Sequence, residues 1–257
     1  MSDDTNTPGS FREHVQRLVE GGKLTAEEAA HLLEGEDAAP TPPSRTIAQY
    51  VEAIQGGETP GLNLDLEIEG YVLSVVQDSN VTEPTLNASH EGQLEMSATA
   101  NALTLKRARR SDWRTVKAVL TVPFKPQHVK VEINGGSLSL CDIAGEMRAE
   151  VNGGNITMST ATALNAEVNG GNLRWTGLLQ SGTHRTEVNA GNATLTLLPG
   201  SSVRLDAEVT LGNFKAAFPT QKSGGFMEAH YTGQLGGGEA LLRCEVSAGQ
   251  IKLLTGE

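Results

Sequence analysis

The chain has 257 residues, of which 38% are apolar and only 4% aromatic, alongside 29 glycines. That balance fits a thin, repetitive core better than the thick core of a large globular enzyme. A formal net charge of -11 sets the surface as a whole against nucleic-acid phosphates and anionic membranes.

Met1 to Ser10 is polar and acidic, with neither a basic n-region nor an apolar h-region, so no signal peptide is expected. No apolar run reaches the roughly 18 residues a membrane-spanning helix needs. The expected location is the cytoplasm, with any membrane association made through a partner.

Residues 1–35 read as a helical hairpin module. Ser10 and Glu13 have the spacing of a capping box, and Phe11, Val15, Leu18 and Val19 then repeat along one helix face. Gly21-Gly22 ends that helix. A second box, Thr25 to Glu28, opens another helix, whose apolar face is Leu24, Ala29, Leu32 and Leu33. Helices this short are marginal alone, so Leu18, Val19, Leu32 and Leu33 are candidates for docking a partner. Residues 36–45 form a linker in which Pro40, Pro42 and Pro43 exclude helix. From residue 46 to 257 a β domain is expected. It opens with a short capping helix, with Thr46 and Gln49 as its box and Ile47, Tyr50, Val51 and Ile54 along one face.

From residue 62 the rhythm becomes period two: Leu62, Leu64, Leu66 and Ile68 alternate with Asn63, Asp65, Glu67 and Glu69. Six segments then align without gaps, beginning VEINGGSLSL at Val131, AEVNGGNITM at Ala149, AEVNGGNLRW at Ala166, TEVNAGNATL at Thr186, AEVTLGNFKA at Ala207 and CEVSAGQIKL at Cys244. Their glutamates are 18, 17, 20 and 21 residues apart, followed by a gap of 37. That gap holds about two periods, with a degenerate copy near Met227 to Leu235. A period of about 19 residues signals stacked repeats. Within one unit Val131 and Ile133 point inward, Glu132 points outward, Asn134-Gly135-Gly136 turns a corner, and Leu138 and Leu140 point inward again.

Parallel stacking places like residues about 4.8 Å apart. Asn134, Asn152, Asn169 and Asn189 would then form an amide ladder beside a glycine column of Gly136, Gly154, Gly171, Gly191, Gly212 and Gly249. The expected fold is mainly β: a single-stranded β-solenoid of roughly ten rungs with a small α-helical N-terminal module. The same Asn-Gly corners also suit a β-meander or hairpin propeller, with Glu167 across from Arg174, Glu208 from Lys215 and Glu245 from Lys252. Whole-repeat alignment favours the stack.

These segments resemble the bacterial "putative adhesin" β-solenoid family, a domain of unknown function. The carriers are LTVPFKPQHVKVEINGGSLSL (Leu120 to Leu140), the later E-V-N-G-G-N copies and TGQLGGGEALLRCEVSAGQIKL (Thr232 to Leu253). FREHVQRLVEGGKLTAEEAAHLLEGE (Phe11 to Glu36) resembles the bihelical module often fused ahead of that domain. The resemblance implies a structural or regulatory role in bacterial envelope or general stress, with no catalytic residues to carry over.

Three constellations bear on chemistry. The glutamate column (Glu132, Glu150, Glu167, Glu187, Glu208, Glu245) invites comparison with polysaccharide-cleaving β-helices or calcium sites, but reads as a solvated face offset by Arg174, Lys215 and Lys252. Catalysis needs carboxylates in unlike environments, which identical repeats do not supply, and Trp113 and Trp175 are the only tryptophans available for sugar stacking. The basic run Lys106, Arg107, Arg109, Arg110, Arg114 and Lys117, near Trp113, is the candidate anion-binding patch for phosphate or anionic lipid. Scattered histidines and the two cysteines, Cys141 and Cys244, suggest no metal, cofactor or disulfide framework, and the thiols read as buried. The expected function is therefore a non-catalytic scaffold that joins a protein partner, or itself, through solenoid ends or the hairpin. Nucleic-acid binding and a carbohydrate-active enzyme are the alternatives.

Overall fold

Alternation carried through a glycine corner gives each repeat two strand arms with a shared inner side. The computed structural model describes residues 11–34, 45–46, 63–99, 101–108, 115–143, 145–161, 163–225 and 228–256. Ser10, most of the linker, the expected helix after Thr46, and Arg109, Arg110, Trp113, Arg114 and Met227 lie outside them.

The described chain is mainly β. Two helices, α1 (Phe11–Glu20) and α2 (Ala26–Leu33), come first. The early strands are β1 (Arg45–Thr46), β2 (Asn63–Ile68), β3 (Tyr71–Gln77), β4 (Thr85–Ala88), β5 (Leu94–Ala98), β6 (Ala102–Arg107) and β7 (Lys117–Val122). The repeats form β8 (His128–Cys141), β9 (Glu146–Ala161), β10 (Ala163–Val168), β11 (Asn172–Gly177), β12 (Thr183–Leu197), β13 (Val203–Val209) and β14 (Asn213–Ala216). The chain ends with β15 (Thr220–Gly224), β16 (Ala229–Leu235) and β17 (Ala240–Thr255).

First arms pair in parallel in the order β6, β2, β8, β9, β10, β12, β17, β13. Second arms follow the same path as β7, β3, β8, β9, β11, β12, β17, β14. Among the described residues this makes eight parallel tiers, which corrects the expectation of roughly ten successive rungs. The order also departs from the chain order at both ends. The tier of residues 63–77 lies inside that of 102–122, and the C-terminal strand β17 slides between β12 and β13. The corners are not hairpins, because every strand beside them pairs with the next tier.

The remaining length covers the edges. β5 lies antiparallel on β6, and β4 on β7 with β1 beyond it. At the other end β16 lies antiparallel on β13, with β15 outside it. The expected degenerate copy near Met227 to Leu235 is thus an antiparallel cover rather than a tier. Open parallel edges invite pairing with other chains; here the first-arm edges are covered at both ends, and β14 keeps a parallel edge among the described strands. This narrows the expected route to end-to-end association.

The core runs between the two arms. Ile133, Leu138 and Leu140 sit over Val151, Ile156 and Met158, then over Val168, Leu173 and Trp175, all almost fully buried. Backbones meet closely at the corner glycines: a Cβ on Gly171 would lie 2.2 Å from the carbonyl oxygen of Gly154.

The helical hairpin packs on this sheet. Phe11, Val15 and Leu18 of α1, Leu24, and Ala29 and Leu32 of α2 form one cluster with Val76 and Val119, while Val19, Leu33, Val72 and Cys141 pack at its margin. The apolar face that the sequence offers to a partner is therefore covered within the chain. Thr25 caps α2 as read: its side chain accepts from the Glu28 backbone N–H, and the Glu28 carboxylate accepts from the Thr25 backbone N–H.

Candidate interaction face

The outer face of the first arm is built by register. Glu67, Glu132, Glu150, Glu167, Glu187, Glu245 and Glu208 stand on successive tiers in that order. The glutamate column expected from the repeats thus follows the stack rather than the chain, and it gains Glu67. Sequence reading missed Glu67 because its repeat lacks the N-G-G corner; the signal available was E-I-E-G at 67–70, which parallels E-I-N-G at 132–135.

Two residues earlier on each strand, on the same face, runs a second column. It reads Asp65, Lys130, Arg148, Asn165, Arg185, Arg243 and Asp206 from tier to tier. A cation or amide thus stands beside the glutamate on the five central tiers. Arg185 reaches both Glu187 and Glu245 at 2.9 Å. The expected cations, Arg174, Lys215 and Lys252, instead align with Thr157 and Thr194 on the outer face of the second arm. They sit there because the corner sends the two arms to different faces. Between the two first-arm columns runs a shallow groove of about 410 Å³, lined by Lys130, Glu132, Arg148, Glu150, Asn165, Glu167, Arg185 and Glu187.

Beside the corner the amides join the tiers. Asn152 donates to Asn134 at 3.0 Å, Asn169 to Asn152 at 3.0 Å and Asn189 to Asn169 at 2.7 Å. Ser247 donates to Asn189 at 3.3 Å. Asn134, Asn152 and Asn169 each donate an amide hydrogen to the glutamate two residues back, at 2.9 to 3.1 Å. A second ladder, unread in the sequence, links Asn192 to Asn172 at 3.0 Å and Asn172 to Asn155 at 2.8 Å. Its signal was the last Asn of the N-G-G-N copies. Ladders of this kind hold outward side chains in one orientation on the tiers they join, which makes that part of the face regular.

The described members of the basic run do not form one patch. Lys106 pairs with Glu95 across β5 at 3.8 Å, and Arg107 donates to the Glu69 carbonyl at 3.0 Å. Lys117 stands on the other arm, where its ammonium donates to the His31 and Glu34 carbonyls at the end of α2. A cation there favours the negative helix terminus and ties the hairpin down. Arg109, Arg110 and Arg114 lie outside the described residues.

Among the described residues no helix is long and apolar enough to cross a membrane, and no group of three or more His, Cys, Asp or Glu is placed to hold a metal ion. Cys141 and Cys244 are free thiols. Burial, then the hydrogen bond to Glu28, pushes the Cys141 thiol up to about 12, and burial does the same for Cys244. Trp175 is 1% exposed and belongs to the core, so it has no face to offer a sugar.

Glu28 is a further polar fastener between hairpin and sheet, accepting from Cys141 at 2.9 Å and from Ser139 at 2.5 Å. Burial acts to raise its pKa, but the hydrogen bonds from Cys141, Ser139 and Thr25 outweigh burial and hold it below 4.5. A depressed carboxylate contributes stability that is complete above its unfolded value and is lost as pH falls through the folded one. The hairpin should therefore loosen on acidification below pH 4.5. The Val76 and Val119 methyl resonances should report the change, and Glu28→Gln should shift them toward the loosened position already at neutral pH. Unmoved methyl signals under both conditions would show that Glu28 plays no part in docking.

No family model and no curated protein matches this chain. Among solved structures, a "putative cell adhesion protein" from Clostridium sporogenes aligns at 14% identity and a TM-score of 0.42, over 83% of this chain and 98% of its own. A "putative adhesin" from Bacteroides fragilis aligns at 12% identity and a TM-score of 0.45, over 75% of this chain and 91% of its own. Both scores are low, and the functional reading rests instead on the strand register.

Proposed function

We propose that this protein is a non-catalytic interaction scaffold of the β-solenoid type, and that its working surface is the outer face of the first arm. The observation that carries the reading is the register: one glutamate per tier beside one cation or amide on the five central tiers, held in line by amide ladders. Such a face repeats one polar pattern over a long flat area, which suits recognition of an extended surface. A link to envelope or general stress rests on the family resemblance alone.

The test places a photo-crosslinking side chain at Asn165, within the face, or at Thr157 on the outer face of the second arm, in the native host. Asn165 should yield discrete cross-linked species that vanish when Glu150→Lys and Glu187→Lys are added, and Thr157 should yield none. Equal cross-linking from both positions, or none from Asn165, would remove the reading.

A further inference from the structure

The two columns of the first-arm face have opposite signs and run side by side, which gives the face a property that neither column has alone. Suppose two copies meet face to face about a two-fold axis parallel to the stack and midway between the columns. Each tier then meets the same tier of its partner, with the columns exchanged. Glu132 faces Lys130 of the other copy, Glu150 faces Arg148, Glu187 faces Arg185, Glu245 faces Arg243, and Glu167 faces the Asn165 amide. Each contact occurs twice by symmetry, as an isologous interface requires. A two-fold axis along the strands would instead set glutamate on glutamate, so the charge pattern selects one arrangement.

We propose that this face is the interface with a second copy of the chain, paired in that orientation. The inference rests on the scaffold reading and names its partner. Charge complementarity also sets the extent. On the tiers flanking the central five, Asp65 stands beside Glu67 and Asp206 beside Glu208, acid on both columns, so attraction stops there. Five tiers at about 4.8 Å and the four outward columns of the first arm at about 6.7 Å, those of Lys130 and Glu132 with those of His128 and Asn134 on either side, enclose roughly 500 Å² per copy, or roughly 1,000 Å² in all. That lies at the lower edge for a specific interface, so the pair is a reversible one. Exposed ion pairs are individually weak and screened by salt, so the association depends on ionic strength.

The experiment is sedimentation of the full chain at high concentration, in about 0.1 M and about 1 M salt, between which the screening length falls from about 10 Å to about 3 Å. Dimer should form at the lower salt and weaken on the order of tenfold at the higher. An acidic variant (Lys130→Glu, Arg148→Glu, Arg185→Glu) and a basic variant (Glu132→Lys, Glu150→Lys, Glu187→Lys) should each be monomeric, and should form a heterodimer when mixed. Circular dichroism checks that both are folded. If either is not, carbodiimide coupling of unlabelled and nitrogen-15-labelled wild-type chains decides, because Lys130 should join Glu132 in mixed-label peptides. A monomeric wild type at both salts, self-association by either folded variant, or coupling confined to single-label peptides would overturn the dimer. Cross-links from Asn165 to a different protein in the host would still leave the scaffold reading standing, so the two can fail separately.

Discussion

Gly154→Ala should destabilise the protein by roughly 4 kcal/mol or more, whereas Gly153→Ala, one residue away, should stay within about 0.5 kcal/mol of wild type. Both glycines occupy the same corner, so composition does not separate them. Gly154 has φ +101°, a region that side chains rarely adopt, and a Cβ there would lie 2.3 Å from the Gly136 carbonyl oxygen. Neither atom can rotate away, because both belong to backbone held in parallel ladders. A Cβ on Gly153 meets nothing within 4 Å. The damage should spread, because the same contact recurs from Gly136 against Tyr71 through Gly171, Gly191 and Gly249 to Gly212. Denaturant unfolding followed by circular dichroism measures the difference at the midpoint. Equal midpoints for the two variants would mean that the tiers separate more easily at the corner than this spacing allows.

Trp175→Ala should cost about 3–5 kcal/mol, the range for emptying a buried aromatic site. Trp175 is 1% exposed and stands in register between Met158 and Leu195, so neighbouring tiers cannot collapse into the gap without breaking their own ladders. Trp175→Phe should cost only about 1–2 kcal/mol. The indole nitrogen is buried without an acceptor among the described residues, so the smaller ring gives up volume but no hydrogen bond. A phenylalanine variant as weak as the alanine variant would show that the indole nitrogen has a partner after all.

Much of the stack was legible because its causes are local. Alternation set which side chains point inward, the N-G-G corners set where the chain turns, and aligned repeats put like residues on neighbouring tiers, as Glu132, Glu150 and Glu167 show. The cap of α2 was legible for the same reason, since Thr25 and Glu28 lie within one turn. The cation column was less visible. Lys130, Arg148, Arg185 and Arg243 share a spacing of two residues from their glutamates, but asparagine and aspartate interrupt the pattern, and no corner residue marks it.

Sequence alone determined the unit: two short strands, a glycine corner, one outward acid, and a capped helical pair ahead of them. Only the tertiary structure decided the order of the units, because nearly identical tiers fit one another almost equally well in any succession, so local pattern does not rank them. Placing β17 between β12 and β13, and residues 63–77 inside 102–122, depends on which edges the antiparallel strands cover. It also placed the hairpin on Val72, Val76 and Val119. The apolar runs around those residues break the period of two, which is the mark of a strand buried on both faces, but what covers the second face is a long-range contact that no local rhythm encodes.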